Sequence, residues 1–295
     1  MAEALLARGH RVVIVDDLSS GRKENLPPGA EFHQLDVRSP EAAALIAGTG
    51  VETLVHHAAQ MDVRRSVADP VNDASINILG TLNLLEAGRK AALRQVVFAS
   101  TGGAMYGEQE RFPAGEDHPA RPLSPYGVAK LAVERYLYFF HREYGLDAVA
   151  LRYANVYGPR QNPHGEAGVV AIFLDRLLAG AEATINGDGL QTRDYVFVAD
   201  VVAANLAALG RKGFGIFNVG TGRESTVVEL YARLAKAVGV VQPAVHGPAK
   251  PGEQRRSVIA SDLLARELGV RPEVSLEDGL ARTAAWFAAR GPRAR

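Results

Sequence analysis

Apolar runs and amphipathic stretches alternate regularly through the first half of the chain. The apolar runs, typical of strands buried on both faces of a parallel sheet, lie at residues 11–16, 31–36, 51–56, 94–99 and 147–153. Helical periodicity occurs at residues 2–8, 40–47, 71–92 and 124–145. Because strands alternate with helices and each connection is long enough for a crossover, the pattern predicts an α/β fold with a parallel sheet.

Within the stretch 71–92, four apolar residues have the spacing of one buried helix face. They are Ile76, Leu79, Leu82 and Leu85. The stretch is therefore predicted to be one continuous helix.

From about Asn155 the pattern becomes less regular. Helices are predicted at residues 168–180, 200–209 and 226–238, strands near 195–198 and at 215–219, and two short helices near the end. We expect one domain over residues 1–155 and a smaller lobe over 156–295, with elements near 195–220 returning to the first domain.

Composition narrows the function classes. The 295 residues carry a formal net charge of zero, so the chain has no electrostatic footprint for nucleic acid or an anionic membrane. No apolar run approaches the length of a membrane span. Cysteine is absent, which excludes thiol catalysis and disulfides and fits a cytoplasmic protein.

The stretch with the most specific chemistry begins at Ser124 and Pro125, which favour a helix start. Tyr126 and Lys130 follow on one face of the predicted helix, about one turn apart. An ammonium beside a phenol favours the phenolate, so we expect the pKa of Tyr126 to be lowered and the residue to act as an acid or base. Because such a pair arises by chance roughly 0.2 times in a chain of this composition, it is not decisive alone.

Adjacent histidines at 56 and 57 raise the question of a metal site. Neighbouring residues on a strand point to opposite faces of a sheet, so His56 and His57 are poorly placed to share a metal ion. We therefore expect no metal.

Several motifs together resemble one protein family. They are Val-Val-Ile-Val-Asp-Asp from residue 12, His-His-Ala-Ala-Gln from 56, Asn-Ile-Leu-Gly-Thr from 77, the Tyr126/Lys130 pair, Leu-Arg-Tyr-Ala-Asn from 151, Thr-Arg-Asp-Tyr from 192 and Asn-Val-Gly-Thr from 218. The chain resembles an extended short-chain dehydrogenase/reductase of the NAD-dependent nucleotide-sugar epimerase/dehydratase family, and within it the C4 epimerases of UDP-hexoses. The resemblance covers nearly the whole chain and implies a Rossmann-like, doubly wound parallel sheet with a C-terminal substrate lobe.

The resemblance also implies NAD as cofactor and a set of cofactor-binding residues. Asp16 would bind the adenosine ribose, Asp36 and Val37 would flank the adenine, and Lys130 would hold the nicotinamide ribose. The remaining implied cofactor contacts are Asp17, Ser20, Gly21, His57, Ala58, Ala59, Gln60, Asn77, Ser100, Tyr126 and Tyr153.

In the family, a hydroxyl residue after the fourth strand bonds the substrate beside the tyrosine. Here the usual position falls on Gly102, so we expect Thr101 to take the role, with Ser100 as the alternative. Gly102 and Gly103 offer no acidic pair of the kind dehydratases use. The implied substrate contacts are Thr101, Tyr126, Asn155, Val170, Arg193, Lys250 and Glu253, with Arg255 as an alternative to Lys250.

The resemblance begins inside the family's first helix. The initial strand and the Gly-x-x-Gly-x-x-Gly turn, which cradles the cofactor pyrophosphate, have no counterpart in the sequence. We expect a sheet that lacks a central strand, a marginal fold and weakened NAD binding. Either a start codon lies upstream or the gene product is truncated.

Three functional hypotheses follow. The first is epimerisation at C4 of a nucleotide-linked hexose through a 4-keto sugar. The second keeps the fold but changes the reaction, to UDP-uronate decarboxylation or 4-keto reduction. The third is a cofactor-poor protein that only binds nucleotide sugars or a partner. The resemblance also implies a homodimer through the helix bearing Tyr126 and the helix at 71–92.

Overall fold

A computed structural model describes residues 1–163, 168–249 and 254–290. The chain forms two compact units. The first comprises residues 1–105, 122–152 and 202–217, and the second comprises residues 106–121, 153–201 and 218–295.

The strands associated with the first unit form two separate sheets. Their bounds are β1 Val13–Val15, β2 Glu31–His33, β3 Thr53–His56, β4 Gln95–Thr101, β5 Asp147–Tyr153 and β10 Phe214–Val219. β1 pairs in parallel with β2, and a four-stranded sheet has the order β10-β5-β4-β3, with β3 and β4 parallel. Across the described residues no ladder joins the two sheets.

Helices flank these strands. Their bounds are α1 Ala2–Leu6, α2 Pro40–Gly48, α3 Val63–Ala68, α4 Pro70–Ala74, α5 Thr81–Arg89 and α6 Pro125–Tyr144, and α8 Val198–Ala208 spans the boundary between the units. Ser39, Asp62, Asp69 and Ser124 cap α2, α3, α4 and α6 by accepting hydrogen bonds from backbone N–H groups of the first turns. Helix α3 is an element that the sequence pattern did not reveal.

The predicted single helix at 71–92 is wrong in detail. A π-helical turn, Ser75–Gly80, separates α4 from α5. A π turn holds an extra residue, so side-chain positions after it are shifted by one residue relative to an uninterrupted α-helix. The four apolar residues do not share a face: Leu85 is fully buried, whereas 60% of Leu79 is exposed.

Two hydrophobic clusters form the core of the first unit. In one, Val133, Leu137 and Phe140 of α6 pack with apolar residues of β4 and β5. In the other, Val37 and Ile46 pack with Leu84 of α5. All seven residues of β4 are buried, as predicted for a central parallel strand.

The second unit has its own core and short strands. The strands are β6 Asn155–Tyr157, β7 Thr184–Asn186, β8 Thr192–Arg193, β9 Tyr195–Phe197, β11 Ser225–Thr226, β12 Val245–Gly247 and β13 Arg256–Ser257. The helices are α7 Val169–Leu178, α9 Val227–Ala237, α10 Asp262–Leu268 and α11 Leu276–Ala289. Apolar residues of α7, α9 and α11 pack around Tyr157 and Phe197. No helix in the described ranges is long and apolar enough to cross a membrane.

Candidate active site

Helix α6 presents the predicted Tyr126/Lys130 pair. Ser124 accepts a hydrogen bond from the N–H of Gly127 at 3.2 Å, Pro125 is the first helical residue, and Gly145 ends the helix in the left-handed region at φ 71°. A Cβ on Gly127 would stand 2.7 Å from the carbonyl oxygen of Ala104. Only glycine fits this approach, which holds the first turn of α6 against the segment that follows β4.

Lys130 is buried beneath this first turn. Its Nζ donates to the carbonyl oxygen of Ala99 at 2.7 Å and lies 4.6 Å from the ring centre of Phe98. The same Nζ is 5.7 Å from the ring centre of Tyr126. The two side chains are therefore neighbours, although the ammonium bonds the strand rather than the phenol.

The expected lowering of the Tyr126 pKa is wrong for this structure. Burial, reinforced by the negative charge of Asp73, raises the pKa of Tyr126 to about 12, whereas a hydrogen bond with Thr101 opposes this rise. Burial lowers the pKa of Lys130 to about 8, and the charges of Asp73 and Glu134 oppose this change. Desolvation thus outweighs the charge–charge attraction on which the expectation rested.

The two candidate hydroxyl residues face different partners. Thr101, the last residue of β4, bonds Tyr126 and accepts a hydrogen bond from the N–H of Ala104 at 3.1 Å. Ser100 donates instead to Oε1 of Glu134 at 2.6 Å. The structure therefore brings Thr101, not Ser100, to the tyrosine.

Ser100 belongs to what we call the Glu134 cluster, which comprises Ser100, Glu134 and Arg152. Arg152 donates through Nε to Oε1 of Glu134 at 2.9 Å and through Nη2 to Oε2 at 2.6 Å. The arginine and glutamate side chains are 4% and 1% exposed, so this is a fully buried ion pair. Each carboxylate oxygen has a donor, as a buried charge requires.

A second buried group, which we call the Asp73 cluster, comprises Gln60, Asp73 and Asn77. Asp73 accepts through Oδ1 from Nε2 of Gln60 at 3.1 Å and from Nδ2 of Asn77 at 3.0 Å. Asn77, in the π turn, also accepts from the N–H of Gln60 and donates to its carbonyl, both at 2.9 Å. Two of the predicted cofactor contacts, Gln60 and Asn77, are thus brought together.

The histidines at the end of β3 diverge. Nε2 of His56 lies 2.8 Å from the hydroxyl of Thr81, which itself donates to the carbonyl of Asn77. His56 must therefore be the donor in the first contact. Nε2 of His57 lies 3.2 Å from Oδ1 of Asn205. The two imidazoles therefore have different hydrogen-bond partners.

The acid at the end of β1 is suited to a ribose. Asp16 accepts a hydrogen bond from the N–H of Leu18 at 2.7 Å through Oδ1. A Cβ on Gly21 would stand 2.6 Å from that same oxygen, so a larger residue there would push the carboxylate out of this position. A partly exposed carboxylate in a close-fitting loop is the kind of group that accepts from vicinal hydroxyls. The residues present therefore fit the adenosine end of NAD.

The other predicted cofactor residues are less open. Asp36 is held by Arg38, whose Nε donates to its carboxylate and keeps the pKa of that carboxyl low. Val37 is buried and packs in the cluster with Ile46 and Leu84, so its role stays a prediction. Asp17 accepts from the N–H and hydroxyl of Ser19, and Ser20 is exposed in the loop that follows.

The predicted substrate contacts of the second unit occupy varied settings. Asn155 opens β6 and pairs with Tyr195 in register, and Tyr153 is the last residue of β5. Arg193 donates through Nη1 to the carbonyl of Thr192 at 2.7 Å. The Val170 side chain is buried in the core.

Lys250 and Glu253 lie outside the described residues, and Arg255 makes a two-pronged ion pair with Asp188 at 2.8 and 2.9 Å. The roles of all the substrate-side residues stay predictions.

Sequence reasoning missed three buried charged residues: Asp73, Glu134 and Arg152. One signal was present, because Glu134 follows Lys130 at the same four-residue interval by which Lys130 follows Tyr126. Asp73 stands four residues before Asn77 and offered a similar signal.

Comparison with known proteins agrees with this geometry. The family model for the NAD dependent epimerase/dehydratase family matches residues 1–220. The UDP-glucose 4-epimerase of Mycolicibacterium smegmatis is 46% identical over 293 residues, which cover 97% of this chain and 94% of that protein.

Two solved structures are similar over nearly their whole length. The UDP-glucose 4-epimerase of Thermotoga maritima with UDP-glucose has a TM-score of 0.95 at 46% identity, covering 98% of this chain and 94% of that one. The Thermus thermophilus UDP-glucose 4-epimerase in complex with NAD has a TM-score of 0.91 at 45% identity, with the same coverage of 98% and 94%. The predicted Rossmann-like fold and family resemblance are thereby confirmed. The chain belongs to the NAD dependent epimerase/dehydratase family.

Proposed function

We propose that this chain is an NAD-dependent epimerase that inverts C4 of a UDP-linked hexose, interconverting UDP-glucose and UDP-galactose. The observation that carries the proposal is the meeting of Thr101, Tyr126 and Lys130 at the carboxyl end of β4. This end of a parallel strand is where α/β proteins bind ligands. The full-length similarity to UDP-glucose 4-epimerases supports the same assignment.

NAD, when bound, would supply the hydride acceptor for the oxidation of C4 and the hydride donor for its reduction from the other face of the sugar. The first unit would hold it, with Asp16 at the adenosine ribose and Gln60 and Asn77 near the nicotinamide end. Lys130 would hold the nicotinamide ribose. These roles are part of the proposal.

Tyr126 acts as the base and acid for the C4 hydroxyl. Its phenolate takes the proton of that hydroxyl as C4 is oxidised and gives it back when C4 is reduced, so neither proton nor hydride is lost overall. Thr101, which is hydrogen-bonded to the Tyr126 phenol, would orient the C4 hydroxyl of the sugar. Because the pKa of Tyr126 is about 12 in this structure, the phenolate requires further positive charge close to the ring, which an oxidised nicotinamide bound there would supply.

On the substrate side, we assign nucleotide binding to the second unit. Arg193 has a planar guanidinium suited to a pyrophosphate, and Asn155 offers an amide. Lys250 and Glu253 complete the proposed set.

The decisive experiment incubates the purified protein with UDP-galactose and NAD and follows UDP-glucose by proton NMR. We expect conversion to an equilibrium mixture with no net change in NADH absorbance, and no conversion by Tyr126→Phe. Net consumption of NADPH would indicate a 4-keto reductase instead, and release of CO₂ from a UDP-uronate would indicate a decarboxylase. UDP binding without any turnover would leave only a binding protein.

We also propose a homodimer formed through α6 and the α4–α5 segment. Apolar residues are exposed along both, namely Val71, Leu79, Val128, Tyr138 and Phe139. A groove of about 480 Å³ lies between the two segments. A second copy presenting the same apolar face would bury these side chains.

The dimer is testable by light scattering after size-exclusion chromatography. Val128→Glu should give monomers, whereas the matched Val241→Glu, at a fully exposed position of the second unit, should not. A wild-type protein of monomer mass would contradict the proposal.

A cytoplasmic location completes it. The cysteine-free sequence supports this location, since it needs no oxidising compartment to form disulfides. Cell fractionation would test it.

A further inference from the structure

Asp73 is the buried acid that the proposed reaction does not use. Its side chain is 1% exposed. Both hydrogen bonds of the carboxylate fall on Oδ1, and Oδ2 is buried and accepts none from the part of the chain that is described. A buried carboxylate normally fills its lone pairs or pairs with a cation. Both oxygens of Glu134 have donors, whereas only one oxygen of Asp73 does. We therefore infer that the Asp73 carboxylate contributes little to the stability of the fold.

The location of Asp73 connects it to the reacting pair. The residue lies in α4, which packs against α6, and it lines the groove beside Ser124 and Pro125 at the start of that helix. Its charge acts on both Tyr126 and Lys130. Asp73 therefore faces the same turn of α6 that carries the proposed proton chemistry.

Other charged or titratable groups also surround this turn. Glu134, one turn further along α6, raises the pKa of Lys130 through its charge. The charge of Lys130 in turn lowers the pKa values of His56 and His57 at the end of β3. Glu134 is neutralised by Arg152. Asp73 has no such counterion within hydrogen-bond distance among the described residues, so its charge is the less shielded of the two.

Asp73 also fixes backbone. It bonds the side chains of Gln60 and Asn77, and Asn77 in turn bonds the backbone N–H and carbonyl of Gln60. Asn77 lies within the π turn, and π turns occur often at functional sites. The ring holds the segment after β3, which contains the predicted cofactor contacts Ala58 to Gln60.

We propose that Asp73 is a positioning residue of the epimerase reaction, which holds the segment after β3 and sets a negative charge against the Tyr126/Lys130 pair to keep Lys130 protonated. The catalytic part of this inference rests on the proposed function. The electrostatic part concerns the protein alone.

The physical consequence concerns the ammonium. Burial alone would lower the pKa of Lys130 further than the value of about 8 that it has beside Asp73 and Glu134. Without the charge of Asp73, a larger fraction of Lys130 would be neutral at pH 7. Removing the Asp73 charge also eases the ionisation of Tyr126, but a neutral amine cannot stabilise the phenolate, so activity should fall off from a lower pH on the alkaline side of the profile.

The titration of Lys130 can be measured without substrate. The chain has six lysines, so protein labelled with ¹³C at lysine Cε gives a simple NMR spectrum, and Lys130→Met identifies the signal. We expect a midpoint near pH 8 in the wild type. In Asp73→Asn, which retains an oxygen for the Gln60 and Asn77 donors, we expect a midpoint lower by about one pH unit.

Controls separate charge from structure. Asp73→Glu keeps the charge and should restore most of the shift. Asp194→Asn replaces a buried acid of the second unit, 1% exposed, and should leave the Lys130 midpoint where it is. If Asp73→Asn does not fold, Asp73→Ser removes the same charge with a smaller side chain and should lower the midpoint too.

The activity arm uses the pH dependence of kcat. Asp73→Asn should move the alkaline limb to lower pH by the shift that NMR measures, and Asp73→Glu should return it. An unchanged Lys130 midpoint in Asp73→Asn would overturn the electrostatic role, whatever the enzyme does. A shifted midpoint with an unmoved kcat profile would overturn the role in the reaction, and absent turnover in the wild type would count against the proposed function instead.

Discussion

The Glu134 and Asp73 clusters each hold an acid whose charge acts on Lys130, and they are built in opposite ways. In the Glu134 cluster every carboxylate oxygen has a donor and a guanidinium balances the charge. In the Asp73 cluster both donors are neutral amides and Oδ2 is left over. Paired donors and a counter-ion reduce the cost of burying the Glu134 charge. The charge of Asp73 has no counter-ion of this kind, so it acts more strongly on the neighbouring helix α6. We therefore interpret the Glu134 cluster, in which every carboxylate oxygen has a donor, as structural. The Asp73 cluster, in which one oxygen has none, is the one whose charge can take part in the chemistry.

The largest difference should appear in stability. Glu134→Gln leaves the buried guanidinium of Arg152 without its counter-charge and should lower the free energy of unfolding by about 3–5 kcal/mol. Asp73→Asn strands no cation and should cost less than about 1 kcal/mol. Urea unfolding at pH 7 measures both. Equal losses in the two variants would remove the distinction between the clusters.

The next largest effect should be on the activity of a Tyr126 variant, since the charge of Asp73 acts on this residue. Tyr126→Phe deletes the proton acceptor and keeps the ring, so kcat for UDP-galactose conversion should fall about 10³-fold. The urea midpoint should stay close to the wild-type value, because phenylalanine keeps the ring and its packing against the neighbouring side chains. Activity within tenfold of the wild type would show that another group carries the proton.

A pH experiment tests how far burial lowers the pKa of Lys130, on which the charges of both clusters act. The pKa of Lys130 falls from its ordinary 10.5 to about 8 on folding, so between these values the unfolded chain binds more protons than the folded one. Stability should therefore rise with pH across this window, by at most on the order of 3 kcal/mol. Urea midpoints at pH 8 and 10 should differ more in the wild type than in Lys130→Met. Parallel behaviour would mean that Lys130 is solvated.

The smallest effects should separate Thr101 from Ser100. Thr101→Val removes a hydrogen bond to the phenol and should lower kcat about 30-fold, equivalent to roughly 2 kcal/mol. Ser100→Ala removes a donor to Glu134, so its main cost, about 1–2 kcal/mol, should fall on unfolding, with a smaller change in kcat. The reverse pattern would return the catalytic hydroxyl to Ser100.

Local signals in the sequence predicted the elements that depend on them. Helix α6 was predicted because Ser124, Pro125 and Gly145 mark its ends, and β5 because its apolar run is continuous. The π turn was not, since nothing in residues 75–80 departs from ordinary helical periodicity. Its cause is tertiary: Asn77 bonds Gln60, which lies in a different segment.

The candidate site shows the same division. The spacing of Tyr126 and Lys130 predicted their proximity, but the direction of the tyrosine pKa shift depended on desolvation, which spacing does not reveal. The choice between Thr101 and Ser100 required knowing that Glu134 lies behind Ser100. Residues that are distant in sequence and joined by hydrogen bonds were beyond what a single sequence predicts.

The π turn also determines how this helix tolerates changes in length. Removing one residue from 75–80 would convert the wide turn into an ordinary one without breaking the helix, so such a deletion should be compatible with folding. Because the π turn takes up one extra residue, α5 would keep its orientation relative to α4, whereas the turn itself would tighten and carry Asn77 away from Gln60. A length change that leaves the helix whole would thus release the loop that follows β3.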